Sequence, residues 1–276
     1  MRSGVTCVVP ARLGSTRFFG KLLTPLFGKP LIVHTLERAA GAACFDRVVC
    51  ATDAPEIGAA AAAHGFDWVL TQDAANGTER IARALCHPLL RDADLIVNLQ
   101  GDEPAFPEDG LRTLAAALAA EPEAVHILVH DDEPSREDLG NPNRVKVAFQ
   151  SCGAFAGFVR AVPDGARAEA YRLQLGGYAY SRDYLLKYAA LAPSTDEIAL
   201  SHEMLRAPGL APLRAHPSRP GASVDVPEDV EAARHALETM LTTRPHTTRP
   251  ARMTESAPPE NFPTQETQTI LQGETA

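Results

Sequence analysis

The apolar run at residues 5–9, followed directly by the polar segment 10–21, constrains this chain more than any other feature. A short, valine-rich run is typical of a strand buried on both faces of a sheet. The segment after it supplies glycines, hydroxyl groups and the cations Arg12, Arg17 and Lys21. Backbone N–H groups in such a loop can point inward and bind an anion. The pattern therefore predicts a strand that leads into a phosphate-binding loop.

The distribution of charge supports an anion site near the N-terminus. The chain has a formal net charge of −9, yet no acidic residue precedes Glu37, whereas several arginines and lysines do. A purely cationic first segment in an acidic protein indicates that an anion binds there. The segment is not a P-loop, because Leu22 stands where that motif requires serine or threonine. An ordinary surface loop with solvated cations is the alternative.

Composition excludes several classes of protein. Hydrophobic residues make up 45% and charged residues 22% of the 276-residue chain, which is typical of a globular protein with a sizeable core. The acidic balance argues against nucleic acid as a partner. No apolar run approaches the ~20 residues of a membrane helix, and no signal-peptide pattern precedes Val5. We therefore expect a cytoplasmic protein without a membrane partner.

Strand-like and helix-like runs alternate through the first half. Residues 47–52 and 95–99 are short, branched and apolar, as parallel strands buried on both faces should be. Helices are expected at 30–43, 55–64 and 78–90. This alternation predicts an α/β fold with a mostly parallel, doubly wound sheet and ligands at the carboxyl ends of its strands.

The second half is more mixed. Strands are expected at 145–149, 154–159 and 177–180, and helices at 182–190, 196–207 and 227–241. From Thr242 onward the chain is polar and rich in threonine and proline, with too few apolar residues to offset the entropy of ordering. The sequence therefore predicts one domain at 1–242 and a disordered C-terminal tail at 243–276.

Two acidic segments follow short apolar runs. Asp102 lies in NLQGDEP at 98–104, and Asp225 lies in VDVPED at 224–229. A carboxylate placed where a strand ends lies where such sheets bind ligands, and carboxylates bind Mg²⁺. The two residues could therefore hold one Mg²⁺ ion. A solvated turn at Asp102 and a helix cap at Asp225 are the ordinary alternatives.

Two further segments carry candidate cations. Arg80, in NGTER at 76–80, could contact a base or a phosphate, or could belong to an ion-paired surface helix. Lys146, in NPNRVKV at 141–147, either snorkels at a sheet edge or faces a ligand. Spacing alone leaves both alternatives open.

Five motifs, in order, resemble those of the CMP-Kdo synthetases, the 3-deoxy-manno-octulosonate cytidylyltransferases, over about residues 4–240. They are PARxxSTR…GK at 10–21, GTER at 77–80, NxQGDEP at 98–104, NPNxVKV at 141–147 and VDxPED at 224–229. The resemblance implies a nucleotide-diphospho-sugar-transferase-like fold and a homodimer. It also implies transfer of CMP from CTP to a small acidic acceptor, with Mg²⁺ as cofactor.

The resemblance assigns roles to individual residues. The triphosphate would be held by Arg12, Ser15, Arg17 and Lys21, and the cytidine framed by Ala11, Thr78 and Arg80. Asp102 and Asp225 would hold Mg²⁺, and Gln100 would lie between the nucleotide and the acceptor. Positioning and charge neutralisation promote in-line attack on the α-phosphorus. The expected catalytic residues are Lys21, Arg12, Gln100 and Asp102.

The acceptor half departs from the family pattern. Gln174 stands where the family has histidine, and Leu200 and Met204 replace polar residues. The residues expected to bind the acceptor are Gln174, Tyr178, Glu203 and Arg160. The lost hydroxyl contacts favour a small acid such as phosphonoformate, an acceptor that similar enzymes of antibiotic pathways use. Cations such as Arg160 or Arg172 would suit a small dianion of this kind. Drift within true CMP-Kdo synthetases, with Kdo as the acceptor, is the alternative.

Overall fold

The computed structural model describes residues 4–15, 17–163 and 165–243, which build an α/β domain around one large sheet. Residues 244–276, which belong to the predicted disordered tail, lie outside the described residues. The predicted domain boundary therefore stays a prediction, although the last helix ends at Thr243, close to it. Within the described ranges, every helix is too short or too polar to cross a bilayer.

The secondary structure alternates between strands and helices. The strands are β1 (Val5–Ala11), β2 (Pro25–Leu26), β3 (Lys29–Pro30), β4 (Arg47–Thr52), β5 (Asp67–Leu70), β6 (Leu95–Leu99), β7 (Val125–His130), β8 (Lys146–Phe149), β9 (Phe155–Val159), β10 (Tyr171–Ser181) and β11 (Leu213–Ser218). The α-helices are α1 (Leu31–Gly41), α2 (Pro55–Ala63), α3 (Gly77–Ala84), α4 (Glu108–Ala120), α5 (Arg136–Gly140), α6 (Arg182–Ala189), α7 (Thr195–Leu200) and α8 (Asp229–Thr243).

The main sheet has the strand order β11-β7-β10-β6-β1-β4-β5, and the β8–β9 pair extends from β10. All strands along this path run in the same direction except β10, which is antiparallel to both β6 and β7. From β1 the chain builds outward through β4 to β5 on one side and returns to β6 on the other. This reversal creates a crevice beyond the carboxyl ends of β1 and β6. The predicted doubly wound, mostly parallel sheet with a mixed second half is confirmed.

Strand β1 is buried on both faces, as its apolar run predicts. Cys7 and Val9 belong to the core on one side of the sheet, with α1 and α4, whereas Val8 belongs to the core on the other side. Alternate side chains of a strand point to opposite faces, so a strand between two cores needs a continuous apolar run. Strand β1 is therefore fixed between two cores up to the point where the loop at 12–20 begins.

Several predicted element bounds are wrong. The helix predicted at 78–90 ends at Ala84, and a separate 3₁₀ turn forms at Pro88–Leu90. The helix predicted at 196–207 ends at Leu200, because Ser201 is left-handed with φ 47°, and a 3₁₀ turn follows at Glu203–Leu205. The predicted strand at 177–180 is the end of the longer β10. These breaks matter because they set the positions of polar side chains beside the crevice.

Candidate active site

The loop after β1 closes on the carbonyl oxygen of Leu13. That oxygen accepts hydrogen bonds from the backbone N–H groups of Ser15, at 3.0 Å, and Gly20, at 3.1 Å. Gly20 has φ 69°, a left-handed conformation that glycine adopts without strain. The chain then turns so that Lys21 is buried, whereas Arg12 and Arg17 stay exposed. One loop thus presents one enclosed cation and two that water can reach.

The buried ammonium of Lys21 joins the two acidic segments that the sequence singled out. Its Nζ lies 2.6 Å from Asp102 Oδ2, 2.8 Å from the carbonyl oxygen of Val224 and 3.4 Å from Asp225 Oδ1. The backbone N–H of Val224 also donates to the carbonyl oxygen of Asp102, at 2.9 Å. Arg17 Nη2 lies 2.9 Å from the same Asp225 oxygen. Residues far apart in sequence therefore form one charge cluster, consisting of Arg17, Lys21, Asp102 and Asp225.

The alternative role of Asp225 as a helix cap is wrong, because α8 begins only at Asp229 and the Asp225 carboxylate contacts Arg17 and Lys21. Asp229 holds the segment before the helix, since its Oδ2 accepts hydrogen bonds from the backbone N–H groups of Asp225, at 2.8 Å, and Val226, at 2.9 Å. Asp225 is thereby free to point its carboxylate toward Lys21.

The donor set of the charge cluster fits a hard divalent cation. The carboxylate oxygens of Asp102 and Asp225 both lie near Lys21 Nζ, and Mg²⁺ prefers oxygen ligands of this kind. Both carboxylates are partly open, with 27% of the Asp102 side chain and 46% of the Asp225 side chain exposed. Asp102 and Asp225 are thus placed where they could hold a metal, with Lys21 beside them.

Glu103 belongs to this site and was missed in the sequence. Its carboxylate accepts a hydrogen bond from the backbone N–H of Gly176, and a Cβ on Gly176 would lie 2.2 Å from Glu103 Oε1. Burial, reinforced by the charges of Asp102 and Asp225, raises the pKa of Glu103 to about 8. The sequence feature that could have identified Glu103 is its position next to Asp102 in NLQGDEP. A glutamate at the edge of this cluster therefore holds a proton near neutral pH.

Thr78 does not cap α3. The cap is Asn76, whose Oδ1 accepts from the backbone N–H of Glu79 at 2.8 Å. Thr78 is fully buried, and its Oγ1 lies 3.3 Å from the hydroxyl of Tyr180. The Thr78 hydroxyl therefore faces a buried tyrosine.

Glu203 connects Thr78 to Gln100. Glu203 Oε2 accepts from the backbone N–H of Thr78 at 2.9 Å, and Oε1 accepts from Gln100 Nε2 at 3.2 Å. Burial raises the pKa of Glu203. Gln174, on β10, donates from Nε2 to the hydroxyl of buried Tyr178 at 2.8 Å. Glu203, predicted as an acceptor contact, therefore also fixes the Gln100 side chain between the two predicted halves of the site.

Arg80 is held by protein groups. Its side chain is 3% exposed, and it donates to Asp53 Oδ2 and to Thr71 Oγ1, both at 2.7 Å. Asp53 and Thr71 directly follow β4 and β5. Arg80 therefore ties α3 to the ends of two strands, and its predicted contact with cytidine stays a prediction.

Arg160 and Arg172, predicted as cations for a small acidic acceptor, donate mainly to backbone carbonyls. Arg160 contacts the carbonyl oxygens of Leu200, of Ser201 at 2.9 Å and of Pro142 at 3.0 Å. Arg172 Nη1 donates to the carbonyl of Tyr171 at 2.7 Å. These side chains therefore join segments of the chain, and their predicted contact with an anionic acceptor stays a prediction.

A separate groove lies away from the crevice. It is lined by residues of α1, α4 and α8 and by the segment after β11, among them Arg38, Arg112, Arg219 and Met240. It contains none of the residues predicted to act on the substrate. This groove is therefore separate from the predicted site.

Comparison with known proteins identifies the family to which this chain belongs. Residues 6–205 match the family described as Cytidylyltransferase. A 3-deoxy-manno-octulosonate cytidylyltransferase of Syntrophobacter fumaroxidans is 39% identical over 239 residues, which are 82% of this chain and 93% of that relative. A protein of the same name from Polynucleobacter necessarius is 37% identical over 240 residues, which are 83% of this chain and 94% of that relative.

Solved structures support the same placement. A structure of CMP:2-keto-3-deoxy-manno-octonic acid synthetase complexed with CTP superposes with a TM-score of 0.77 at 33% identity, covering 86% of this chain and 100% of that chain. The 4-diphosphocytidyl-2C-methyl-D-erythritol synthase of Anaerococcus prevotii has a TM-score of 0.53 at 14% identity, covering 85% of this chain and 98% of that chain. The second similarity concerns the fold alone.

Proposed function

Because the chain belongs to the cytidylyltransferase family, we propose that it transfers CMP from CTP to 3-deoxy-manno-octulosonate (Kdo) and releases pyrophosphate. The observation that carries this proposal is the meeting of Lys21, Asp102 and Asp225 in the crevice beyond β1 and β6. The relatives named for this acceptor match over nearly their whole length, which supports Kdo as the acid.

The charge cluster would carry the phosphoryl chemistry. The triphosphate would be bound by Arg12, Ser15, Arg17 and Lys21. Asp102 and Asp225 would hold Mg²⁺, which neutralises charge on the phosphates when bound. A hydroxyl of the acceptor attacks the α-phosphorus and gives up its proton to solvent, the bond from that phosphorus to the bridging oxygen breaks, and pyrophosphate leaves. Lys21 and Arg12 stabilise the charge that spreads over the phosphate oxygens.

Positioning of the reactants would depend on the hydrogen bonds around Gln100. Glu203 holds the amide of Gln100 and the backbone of Thr78, so these groups keep one geometry. Ala11, Thr78 and Arg80 would frame the cytidine, and Gln100 would lie between nucleotide and acceptor. Holding reactants in line is a large part of catalysis in phosphoryl transfer.

The contacts of the acceptor half support a hydroxylated acid better than a small dianion. Phosphonoformate would need cations, and both Arg160 and Arg172 donate to backbone carbonyls. Gln174, Tyr178 and Glu203 instead offer amide, hydroxyl and carboxylate groups suited to hydroxyls. We therefore favour Kdo, with Gln174 in place of histidine. A homodimer is part of the proposal, and light scattering would separate it from the 29.5 kDa monomer.

Pyrophosphate release tests the proposal. Purified protein is incubated with CTP and Mg²⁺, and Kdo, phosphonoformate or no acceptor is supplied. We expect release with Kdo alone, together with CMP-Kdo in the mass spectrum. Release with phosphonoformate and none with Kdo would overturn the choice of acceptor and leave the cytidylyltransferase assignment in place. Omitting Mg²⁺ and adding a chelator should abolish release.

A further inference from the structure

The ammonium of Lys21 has all its hydrogen-bonding capacity in use within the protein. An ammonium has three N–H donors, and Lys21 has three acceptors, on Asp102, Val224 and Asp225. Only 10% of the side chain is exposed. The same Asp225 oxygen also receives Arg17. Two cations and two carboxylates thus neutralise each other inside the crevice.

We propose that Lys21 is an internal counterion, which occupies the place between Asp102 and Asp225 that a divalent cation would take and so couples metal binding to nucleotide binding. This inference rests on the proposed function, because it treats these two carboxylates as the metal ligands. Without CTP, a metal ion must approach oxygens that already pair with Lys21 and Arg17. Metal affinity of the free protein is therefore low.

The nucleotide changes this balance. Its phosphates supply acceptors for Lys21 and Arg17, so both cations can leave the carboxylates without losing a partner. The freed oxygens of Asp102 and Asp225 then bind the metal without repulsion from a neighbouring ammonium. Binding of CTP without metal is disfavoured as well, because its phosphates would lie beside two carboxylates whose negative charge no cation neutralises. Thermodynamic linkage requires that the two ligands raise each other's affinity by the same factor.

The wild-type protein provides the first test. Mn²⁺ is titrated into the full-length protein, without and with saturating CTP and without acceptor, and bound Mn²⁺ is followed by electron paramagnetic resonance. Protein-free CTP at the same concentration corrects for Mn²⁺ held by nucleotide in solution. We expect at least tenfold tighter binding of Mn²⁺ to protein when CTP is present. Equally tight binding without CTP would overturn the proposal.

Removal of the counterion provides the second test. Lys21→Met keeps the length of the side chain and removes the charge, so Mn²⁺ affinity without CTP should rise about tenfold or more while CTP affinity falls. Lys21→Gln, which keeps a donor, should behave in the same way if Lys21→Met proves unstable. Lys29→Met is the matched control: Lys29 pairs with Glu37, outside the cluster, and its loss should change neither affinity.

The outcomes separate this inference from the proposed function. A merely structural Lys21 would lose metal and nucleotide affinity together, and that result would overturn the inference. A further Asp102→Asn change in the Lys21→Met background should abolish the gained Mn²⁺ site; a site that persists would place the metal elsewhere and contradict the proposal. Gained Mn²⁺ affinity in Lys21→Met, together with a wild-type protein that turns over no acceptor, would support the counterion and reject the proposed activity.

Discussion

The two halves of the candidate site use similar side chains in opposite ways. In the crevice beyond β1 and β6, the carboxylates of Asp102 and Asp225 are partly exposed and meet Lys21 where a ligand can reach them. In the acceptor half, the side chain of Arg206 is only 2% exposed and lies against Glu197, which is 10% exposed. Ion pairs that water can reach are available for exchange with a ligand, whereas enclosed ones hold the fold.

The enclosed network of the acceptor half connects α3 to α7. Arg206 donates to both oxygens of Glu197 at 2.8 Å and to Glu79 Oε2 at 3.0 Å, and its guanidinium lies 4.7 Å from the ring centre of Tyr188. Asn76 Nδ2 donates to the Tyr188 hydroxyl and to Glu197. The charged side chains of Glu79, Glu197 and Arg206 therefore have a structural role, since they hold α3 and α7 together.

The largest effect on activity is expected for Asp102→Asn. The amide cannot replace a carboxylate at a metal, so turnover should fall by about 10²–10³-fold or more. Lys21 keeps Val224 and Asp225 as partners, so the melting temperature should change little. Pyrophosphate release from CTP with Kdo measures the effect. Asp92→Asn, at an exposed carboxylate, is the control, and near-normal turnover of Asp102→Asn would remove Asp102 from the chemistry.

The largest effect on stability is expected for Arg206→Met. Removing one partner of a buried ion pair leaves the Glu197 carboxylate without a cation, which typically costs about 3–5 kcal/mol of unfolding free energy. Urea unfolding followed by circular dichroism measures it. Lys187→Met breaks an exposed pair with Asp183 and should cost less than about 1 kcal/mol. An Arg206→Met protein with normal stability but no acceptor binding would erase the distinction between the two halves.

A smaller effect is expected for the pH dependence of stability. Burial lowers the pKa of His202 to about 4, below the value of 6.5 in an unfolded chain. The unfolded state therefore binds more protons between these values, and the unfolding free energy falls as pH drops from about 6.5 to 4. His202 should account for roughly 1–3 kcal/mol of that loss. Wild type, His202→Gln and the exposed-site control His235→Gln are compared in urea.

His202→Gln should flatten the pH dependence, and His235→Gln should leave it unchanged. The acceptor half would then lose stability in acid through a histidine packed against Phe158, with ring centres 4.3 Å apart. A His202→Gln curve parallel to that of the wild type would show that this histidine does not titrate in the expected range.

Local pattern predicts the first half of the sheet well. Residues 47–52 and 95–99 form β4 and β6 with those bounds, because strands buried on both faces need continuous apolar runs. The sequence also places Lys21, Asp102 and Asp225 in loops that follow strands or apolar runs, and the fold brings these loops together. Strands β5, β7 and β11 and helix α4 were not predicted, and the break at Ser201 carries no local signal that separates it from a continuous helix.

The residue chemistry follows from the sequence alone, which specifies where cations and carboxylates lie along the chain and that β1 and β6 end beside some of them. Which of these groups remains available to a ligand follows from the folded chain. Lys21, Arg80 and Arg160 all donate to oxygens distant in sequence, but of these three Lys21 alone contacts two carboxylates, those of Asp102 and Asp225. Burial makes each unpaired polar group costly, so the partners that the fold brings to a charged side chain decide its role, and those partners are distant in sequence.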